Sequence, residues 1–265
     1  MYSLKLFAKI VKYRFLAQIE YPGSYLLGIV FQWLSYGTWM FMLFLMIWNF
    51  GMLAGWLPAQ AVFMYASWLL SYAIGAAFTF NICRSFSQMA IDGTMDEALV
   101  RPVRPFLYLL ATNFNLGYIS HASLALAAVV WAYFQLALQW TFLHYLWFVV
   151  MIISGAIVQA CMMLLCEMPG LRLRARAPTN VLFWEVWSFL QYPITIFPRA
   201  IQFIFATILP YSFISFYPVQ VLLGKQDGLF AAWFMWLSPV VAVMLVCITA
   251  LNWRRTSKYY ESAGT

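Results

Sequence analysis

The side chains best suited to metal binding or nucleophilic chemistry are four cysteines and two histidines, and their spacing favours neither. Cys83, Cys161, Cys166 and Cys247 include no CxxC pair, and no histidine lies near them in the sequence. A zinc site or a disulfide framework is therefore not expected. Free cysteines in apolar segments usually behave as small buried hydrophobic residues, and we expect no metal site in this chain.

The motifs of common enzyme classes are also missing. The sequence contains no GxSxG, no HExxH and no pair of aspartates within an apolar run, so it indicates neither hydrolase nor metalloprotease chemistry. It also lacks the GxxxxGK[ST] loop that cradles the phosphates of ATP, and the chain cannot hydrolyse ATP by that route. The sequence therefore predicts no catalytic residue.

Polar side chains do occur inside one long apolar run, at Thr112, Asn113, Asn115, Ser120 and His121. A polar group that faces lipid is costly, so these side chains should face other helices or lie near the membrane boundary. Hydrogen bonding between helices is the more frequent use, and a substrate path is the alternative. The histidine has no acidic partner within its own run, which argues against a proton relay.

The elements that carry these residues follow from the composition. Hydrophobic residues make up 65% and charged residues 9% of the 265 positions, whereas soluble domains carry about 25% charged residues. The sequence therefore predicts an all-α, polytopic membrane protein with six transmembrane helices. The spans are expected at residues 24–49, 59–82, 106–137, 143–166, 181–198 and 229–252.

The basic residues predict the orientation. The net charge is +7, but the charges form short clusters between apolar runs, which indicates membrane topology and no nucleic-acid partner. The N-terminal segment, residues 83–105, residues 167–180 and the C-terminal tail hold all of them except Arg199 and Lys225. An even number of spans puts these four segments on one side. The positive-inside rule then predicts the cytoplasmic (inner) membrane, with both termini cytoplasmic.

Residues 1–22 are expected to form an amphipathic helix that lies in the membrane interface. Lys5, Lys9 and Lys12 share one helical stripe, and apolar side chains beginning at Leu6 share another. Such a helix buries its apolar face in the lipid bilayer and keeps its charges in water.

Small residues recur in the second span. Ser67, Ser71 and Gly75 are separated by intervals of four, and this spacing lets two membrane helices approach closely. A close helix contact is therefore predicted here, although the same spacing also arises by chance.

The polar segment 83–105 contains a capping-box pattern. Thr94 is placed to cap a helix, Glu97 can bond back to its amide, and Pro102 ends the helix soon afterwards. The pattern predicts a stiff helix of about two turns, used either to dock a partner or as a simple connector. The apolar side chains it would present are Met95, Leu99 and Val100.

The segment 198–228 is apolar but repeatedly interrupted. A straight span would place Arg199 and unpaired backbone groups in lipid, which the bilayer core does not tolerate. We therefore expect short helices that enter the outer leaflet and return, with the arginine near the outer surface. The prolines that interrupt this segment are Pro198, Pro210 and Pro218.

Two segments resemble the permease subunits of ABC type-2 exporters, in the small six-span branch. One reads DGTMDEALVRPVRP at residues 92–105, and the other reads YPITIFP at 192–198 and LPYSFISFYPV at 209–219. The resemblance covers most of the chain, and the order of elements agrees.

The resemblance implies one permease domain over residues 1–265, with a coupling helix in segment 83–105 that docks on a separate ATP-binding subunit. ATP and Mg²⁺ would bind to that subunit, and this chain would supply no catalytic residue. A second permease subunit, identical or similar, would complete a dimer around the transport path. The implied partner-binding residues are Asp92, Gly93, Thr94, Met95, Asp96, Leu99, Arg101 and Pro102.

The resemblance also implies that segment 198–228 closes the exit through re-entrant outer helices, and that the substrate is amphipathic or lipid-linked and exported. One departure is Glu97-Ala98, where a more apolar pair is usual in the family. The alternatives are an intramembrane lipid-modifying enzyme and an autonomous channel or carrier. Separated histidines argue against the first, and the lack of mid-membrane charges argues against the second. The implied gate residues are Pro198, Arg199, Pro210 and Pro218.

Overall fold

The computed structural model describes residues 2–173, 185–186, 189–258 and 260, and this part of the chain contains helices, turns and one isolated β-bridge but no strand. Five of its helices are long and apolar enough to cross a membrane, or six if a bent pair counts as one span. The predicted all-α membrane fold is confirmed. The chain is an integral membrane protein.

The helices are numbered here in chain order through the described residues. The first are α1 (Tyr2–Ile19), α2 (Pro22–Phe50), α3 (Pro58–Ile91), α4 (Thr94–Val100), α5 (Pro105–Thr112) and α6 (Ile119–Gln135). The remainder are α7 (Phe142–Leu173), α8 (Arg199–Thr207), α9 (Phe216–Leu223) and α10 (Ser238–Lys258). Short 3₁₀ turns lie at Leu116–Tyr118, Ile194–Ile196, Tyr211–Phe213 and Ala232–Leu237.

Helix α3 lies at the centre of the bundle. In its most apolar stretch 89% of the residues are buried, compared with 6% in α2. Helix α3 packs most extensively against α7 and α6, and α10 packs against α7. The central position of α3 explains why it needs small residues, since it must fit between several neighbours.

The contact between α3 and α7 is close. A Cβ atom added to Gly75 would lie 2.6 Å from the carbonyl oxygen of Ala156. Ser71 Oγ donates a hydrogen bond to the carbonyl of Ile152 at 3.3 Å. The close helix contact predicted from the small-residue spacing is confirmed.

Helix α1 has the predicted amphipathic character. The side chains of Lys5, Lys9 and Lys12 are exposed, whereas Leu6 is half-buried. Phe7, also half-buried, stacks on Phe78 of α3 with 6.3 Å between ring centres. The apolar stripe of α1 therefore packs partly on the bundle itself, and its position in the membrane interface stays a prediction.

Two spans continue as helix beyond the ends that hydropathy predicts. The sequence predicts an end at residue 82 for the second span, whereas α3 runs to Ile91. It predicts an end at residue 166 for the fourth span, whereas α7 runs to Leu173 with Pro169 inside it. Hydropathy marks where a helix leaves lipid, but the helix itself continues until its backbone bonds are broken.

The predicted third span, 106–137, is wrong as a single helix. Helix α5 ends at Thr112, and a 3₁₀ turn leads into α6. At the break, the Asn115 amide donates to the Ala77 carbonyl at 2.8 Å, and Asn81 Nδ2 donates to the Asn113 carbonyl at 3.1 Å. Bonds from α3 thus replace the missing helix bonds, as buried backbone groups require.

The polar side chains at this break bond locally. Asn115 Oδ1 accepts from the Gly117 amide at 2.8 Å, and Asn113 Nδ2 donates to the Leu109 carbonyl at 3.0 Å. Bonding between helices, which we predicted for these side chains, is therefore wrong for the two asparagines. His121 does face the bundle, because its ring lies 4.3 Å from that of Tyr36 on α2.

The last two predicted spans differ in how far the structure describes them. The fifth, 181–198, lies partly outside the described residues, and residues 190–198 consist of turns and a short 3₁₀ helix. The second half of the loop 167–180 also lies outside the described residues. The sixth, 229–252, corresponds to the turn Ala232–Leu237 followed by α10.

Candidate partner-binding helix and outer helices

Helix α4 begins directly after Gly93. This glycine adopts φ +70°, in the left-handed region, and its carbonyl accepts the amide of Asp96 at 3.0 Å. The capping box predicted at Thr94 and Glu97 is wrong, because Thr94 is already the first helical residue and the helix has no side-chain cap. Glycine suits this position because a residue with a Cβ atom is strained in the left-handed region.

Two side chains fix α4 to the rest of the molecule. Met95 and Ala98 are 0% and 2% exposed, and α4 contacts both α3 and α5. Residues three apart lie on one face of a helix, so this face points inward. The prediction that Met95 faces a partner is wrong for this structure, since its side chain anchors α4 to the core.

The opposite face of α4 is open. Thr94, Glu97 and Val100 are exposed at intervals of three, and Val100 is 81% exposed. Asp96 and Leu99 are half-buried on the flanks of this face. An apolar tip beside an acidic side chain is suited to a shallow cleft on another protein.

Side-chain contacts hold both ends of α4. At its start, Gln88 Nε2 donates to Asp92 Oδ1 at 2.6 Å. At its end, the guanidinium of Arg101 lies 4.7 Å from the centre of the Tyr108 ring, a cation–π contact, and the exposed Pro102 follows. The predicted partner-binding residues other than methionine are at least partly exposed, and their role stays a prediction.

Aromatic rings behind α4 connect three other helices. Trp253 of α10 lies 6.2 Å from Phe86 of α3 and 5.2 Å from Phe106 of α5, measured between ring centres. Packed interiors deform little under load. A force applied to α4 would therefore reach α3, α5 and α10 together.

Helices α8 and α9 form a sharply bent pair. The axis of α8 differs by 73° from that of the segment Tyr211–Leu223, which contains the 3₁₀ turn Tyr211–Phe213 and α9. Pro198 and Pro210 stand at the N-caps of α8 and of this turn, and Pro218 lies in the first turn of α9. Proline is tolerated there because the first turn has no helix bond to lose. The bend agrees with the re-entrant geometry that we predicted, and its position in the membrane stays a prediction.

The predicted gate residues do not form one cluster. Pro198 and Arg199 are exposed at the start of α8, whereas Pro210 and Pro218 are buried. The carbonyl of Pro218 accepts a hydrogen bond from Trp147 Nε1 at 3.0 Å, which ties α9 to α7. The exposed pair is accessible to a ligand, and the buried pair belongs to the packed interior.

Lys225, just after α9, makes a contact that sequence reasoning missed. Its Nζ donates to the carbonyl of Gly55 at 2.6 Å and forms a salt bridge with Asp227 at 3.2 Å. It also lies 4.9 Å from the centre of the Trp56 ring. Lys225 therefore joins the end of α9 to the loop between α2 and α3. The sequence of that loop contains no charged residue, so it gave no signal for this contact.

The His, Cys, Asp and Glu side chains do not assemble a metal site in the part of the chain that the structure describes. No three side chains among His, Cys, Asp and Glu come together there as metal ligands could. All four cysteines are free, and Cys83 and Cys161 are buried. What the arrangement offers is a short helix, α4, with one buried and one open face, and a bent helix pair followed by a lysine that contacts the loop between α2 and α3.

Comparison with known proteins identifies the family. A family model described as "ABC-2 family transporter protein" matches residues 33–264. This match includes α4 and the pair formed by α8 and α9, the two regions from which the resemblance was inferred, and the resemblance is confirmed. No curated protein and no solved structure matches the chain.

Proposed function

The chain belongs to the ABC-2 transporter membrane family, and we propose that it is the permease subunit of an exporter driven by a separate ATP-binding subunit. The observation that supports this most is the two-sided character of α4. Met95 and Ala98 fix one face in the core, and Val100 leads the free face. ATP and Mg²⁺ would bind to the partner, and this chain would supply docking and movement.

A contiguous set of contacts supports α4 as a coupling helix. Helix α4 contacts α3 and α5, and Trp253 packs α10 against both. Helix α3 packs closely on α7, which bonds to α9 through Trp147 and Pro218. When ATP draws two ATP-binding subunits together, a displacement of α4 would pass along this path to the outer helices.

The outer helices would close the exit of the transport path. Their 73° bend lets both helices lie within one leaflet, and Lys225 ties their end to the loop before α3. Opening the exit would break this tie. The ion pair is half-buried, and Lys225 Nζ also donates to Gln60 Oε1 at 3.4 Å. Contacts of this kind contribute only about 1 kcal/mol each, so the tie can open and close again.

A second permease subunit, identical or similar, would complete the transporter. The exposed apolar surface of α2 supports this, since only 6% of its most apolar stretch is buried. The clustering of basic residues supports an inner-membrane position with cytoplasmic termini. We further propose that the substrate is amphipathic or lipid-linked, as the resemblance to type-2 exporters implies.

Co-purification tests the docking of an ATP-binding subunit. The chain is extracted in mild detergent from its native cells, and any captured ATP-binding protein is quantified. We expect Val100→Asp to reduce capture at least ten-fold, because it places a charge on the exposed apolar tip of the docking face. Arg255→Glu, an exposed charge change at the end of α10, should leave capture unchanged. Failure of the unaltered chain to capture any ATP-binding protein would overturn the proposal.

Cysteine labelling tests the orientation on which docking depends. Thr94→Cys should react with a membrane-impermeant maleimide in inverted vesicles and not on intact cells. Gln226→Cys, an exposed position beside the outer tie, should show the reverse. The unaltered chain supplies the background from its own four free cysteines. Labelling of Thr94→Cys on intact cells contradicts the proposal.

A further inference from the structure

One large cleft is not used by the proposed function. It has a volume of about 790 Å³ and is lined by residues of α1, α3, α5, α7 and α10. Most of its wall is apolar, with Phe78, Leu164 and Val246 as examples. A cavity of this size and character is typical of small-molecule sites.

The cleft is about as long as one membrane leaflet is deep. Its lining on α7 extends from Ile153 to Leu164, which at the helical rise corresponds to about 16 Å. Half of the hydrocarbon core of a bilayer is about 15 Å. An occupant aligned with the helices would therefore fit one leaflet.

Two positive charges line the cleft near the contact between Phe106 and Trp253, whose ring centres are 5.2 Å apart. Arg104 and Arg254 both line it, and both are exposed. Among the described residues neither guanidinium has a salt-bridge or hydrogen-bond partner. Two arginines without partners at the mouth of an apolar cleft favour a phosphate group, which a guanidinium binds through two parallel hydrogen bonds.

We propose that this cleft binds one anionic phospholipid from the leaflet on the α4 side. Its phosphate contacts Arg104 and Arg254, and its acyl chains lie between α3, α5, α7 and α10. A neutral lipid would leave the excess positive charge uncompensated, and a free anion would leave the apolar wall uncovered. The bound lipid would join α10 to α5 beside Trp253, and this role does not depend on which subunit docks on α4.

Native mass spectrometry of the full chain in non-ionic detergent tests the headgroup. Phosphatidylglycerol and phosphatidylcholine with the same acyl chains are titrated separately. We expect one phosphatidylglycerol to bind at least ten-fold more tightly than phosphatidylcholine. Replacing both cleft arginines, Arg104→Gln with Arg254→Gln, should remove this preference. Replacing two exposed arginines outside the lining, Arg84→Gln with Arg255→Gln, should keep it.

A second variant tests the apolar part of the cleft. Ala250 is exposed and lines the cleft, so Ala250→Phe adds bulk there without disturbing a buried contact. We expect this variant to lose phosphatidylglycerol binding with both arginines intact. Equal binding of the two lipids, or unchanged preference in the double arginine variant, overturns the proposal. The proposal is also overturned if inorganic phosphate binds as tightly as the lipid. It is overturned as well if Ala250→Phe dissociates a dimer of the chain but leaves lipid binding unchanged, because the cleft would then be a subunit interface.

Discussion

One backbone angle at Gly93 decides where α4 begins. Its φ of +70° is left-handed, and an added Cβ atom would meet only Asp96 Oδ2, at 3.8 Å. Space is therefore available, and the constraint on this residue is conformational. The sequence contains the glycine, but the capping-box pattern one residue later pointed to a different start, because a sequence pattern does not reveal a backbone angle.

Substitution of Gly93 should uncouple docking from transport. Gly93→Val places a β-branched residue in left-handed backbone, which costs roughly 1–2 kcal/mol, and α4 would shift to relieve the strain. We expect a several-fold loss of transport-coupled ATPase activity in reconstituted vesicles. Gly93→Asn should retain most of the activity, because asparagine tolerates this region. Full coupling in the valine variant would contradict the role given to this turn.

Lys225 should limit the opening of the loop between α2 and α3, residues 51–57. Lys225→Met removes the hydrogen bond to Gly55 and the salt bridge to Asp227. The loss of about 1 kcal/mol corresponds to a roughly five-fold increase in opening. Hydrogen exchange of residues 51–57 measures this opening, and Lys225→Arg should stay near the unaltered rate. Unchanged exchange in the methionine variant means that the tie does not restrain the loop.

At the scale of helices, the close packing of α3 on α7 depends on positions without side chains. Gly75 of α3 faces the Ala156 carbonyl of α7 with only 2.6 Å for a Cβ atom, and Gly155 of α7 faces Ser71 Oγ of α3 with only 2.7 Å. A backbone carbonyl cannot move away from an added Cβ atom as the end of a flexible side chain can. Overpacking of this kind costs about 1–3 kcal/mol.

Alanine at Gly75 should therefore destabilise the bundle. We expect Gly75→Ala to lower the thermal unfolding midpoint in detergent by several degrees, because α3 and α7 must separate. Gly28→Ala is the matched control, since an added Cβ atom at Gly28 on α2 has no atom within 4 Å. Its unfolding midpoint should stay unchanged or rise slightly, because alanine favours helix over glycine. Equal effects of the two variants would show that the close contact does not limit stability.

Helix positions were more predictable than helix ends. Apolar runs locate α2, α3, α7 and α10 because each must be long enough to cross lipid. The break between α5 and α6 was not predictable, because it depends on partners distant in sequence. Gln18 of α1 donates to the Phe114 carbonyl at 2.9 Å and accepts from the Leu116 amide at 2.6 Å, and no local pattern contains such bonds.

The short helix in the polar segment 83–105 was predicted in place but not in orientation, and its docking role stays a prediction. The capping-box pattern and Pro102 located α4 to within one residue at its start. A helix of seven residues is too short for its pattern to show which face is buried, so Met95 was assigned to the wrong side. The tertiary contacts with α3 and α5 decide the face, and they depend on the whole bundle.

For the whole molecule, α2 presents an apolar stripe that no other described residue covers. Leu27, Phe31 and Leu34 are 61%, 67% and 61% exposed and share one helical stripe. Leu43 and Ile47 lie on the other side and are buried. A surface of this kind faces either lipid or another subunit, and membership of the ABC-2 family favours a second permease.

Cysteine cross-linking distinguishes these two environments. If α2 meets α2 of a second copy across a two-fold axis, Leu34→Cys lies near its own equivalent, and oxidation of membranes should give a disulfide-linked dimer. Leu43→Cys is the matched control, because its buried position keeps the thiol within one subunit. A partner that is a different permease would give a cross-linked species only when it is co-expressed. If Leu34→Cys cross-links no more than Leu43→Cys in either case, this stripe faces lipid, and the subunit contact must lie on another helix.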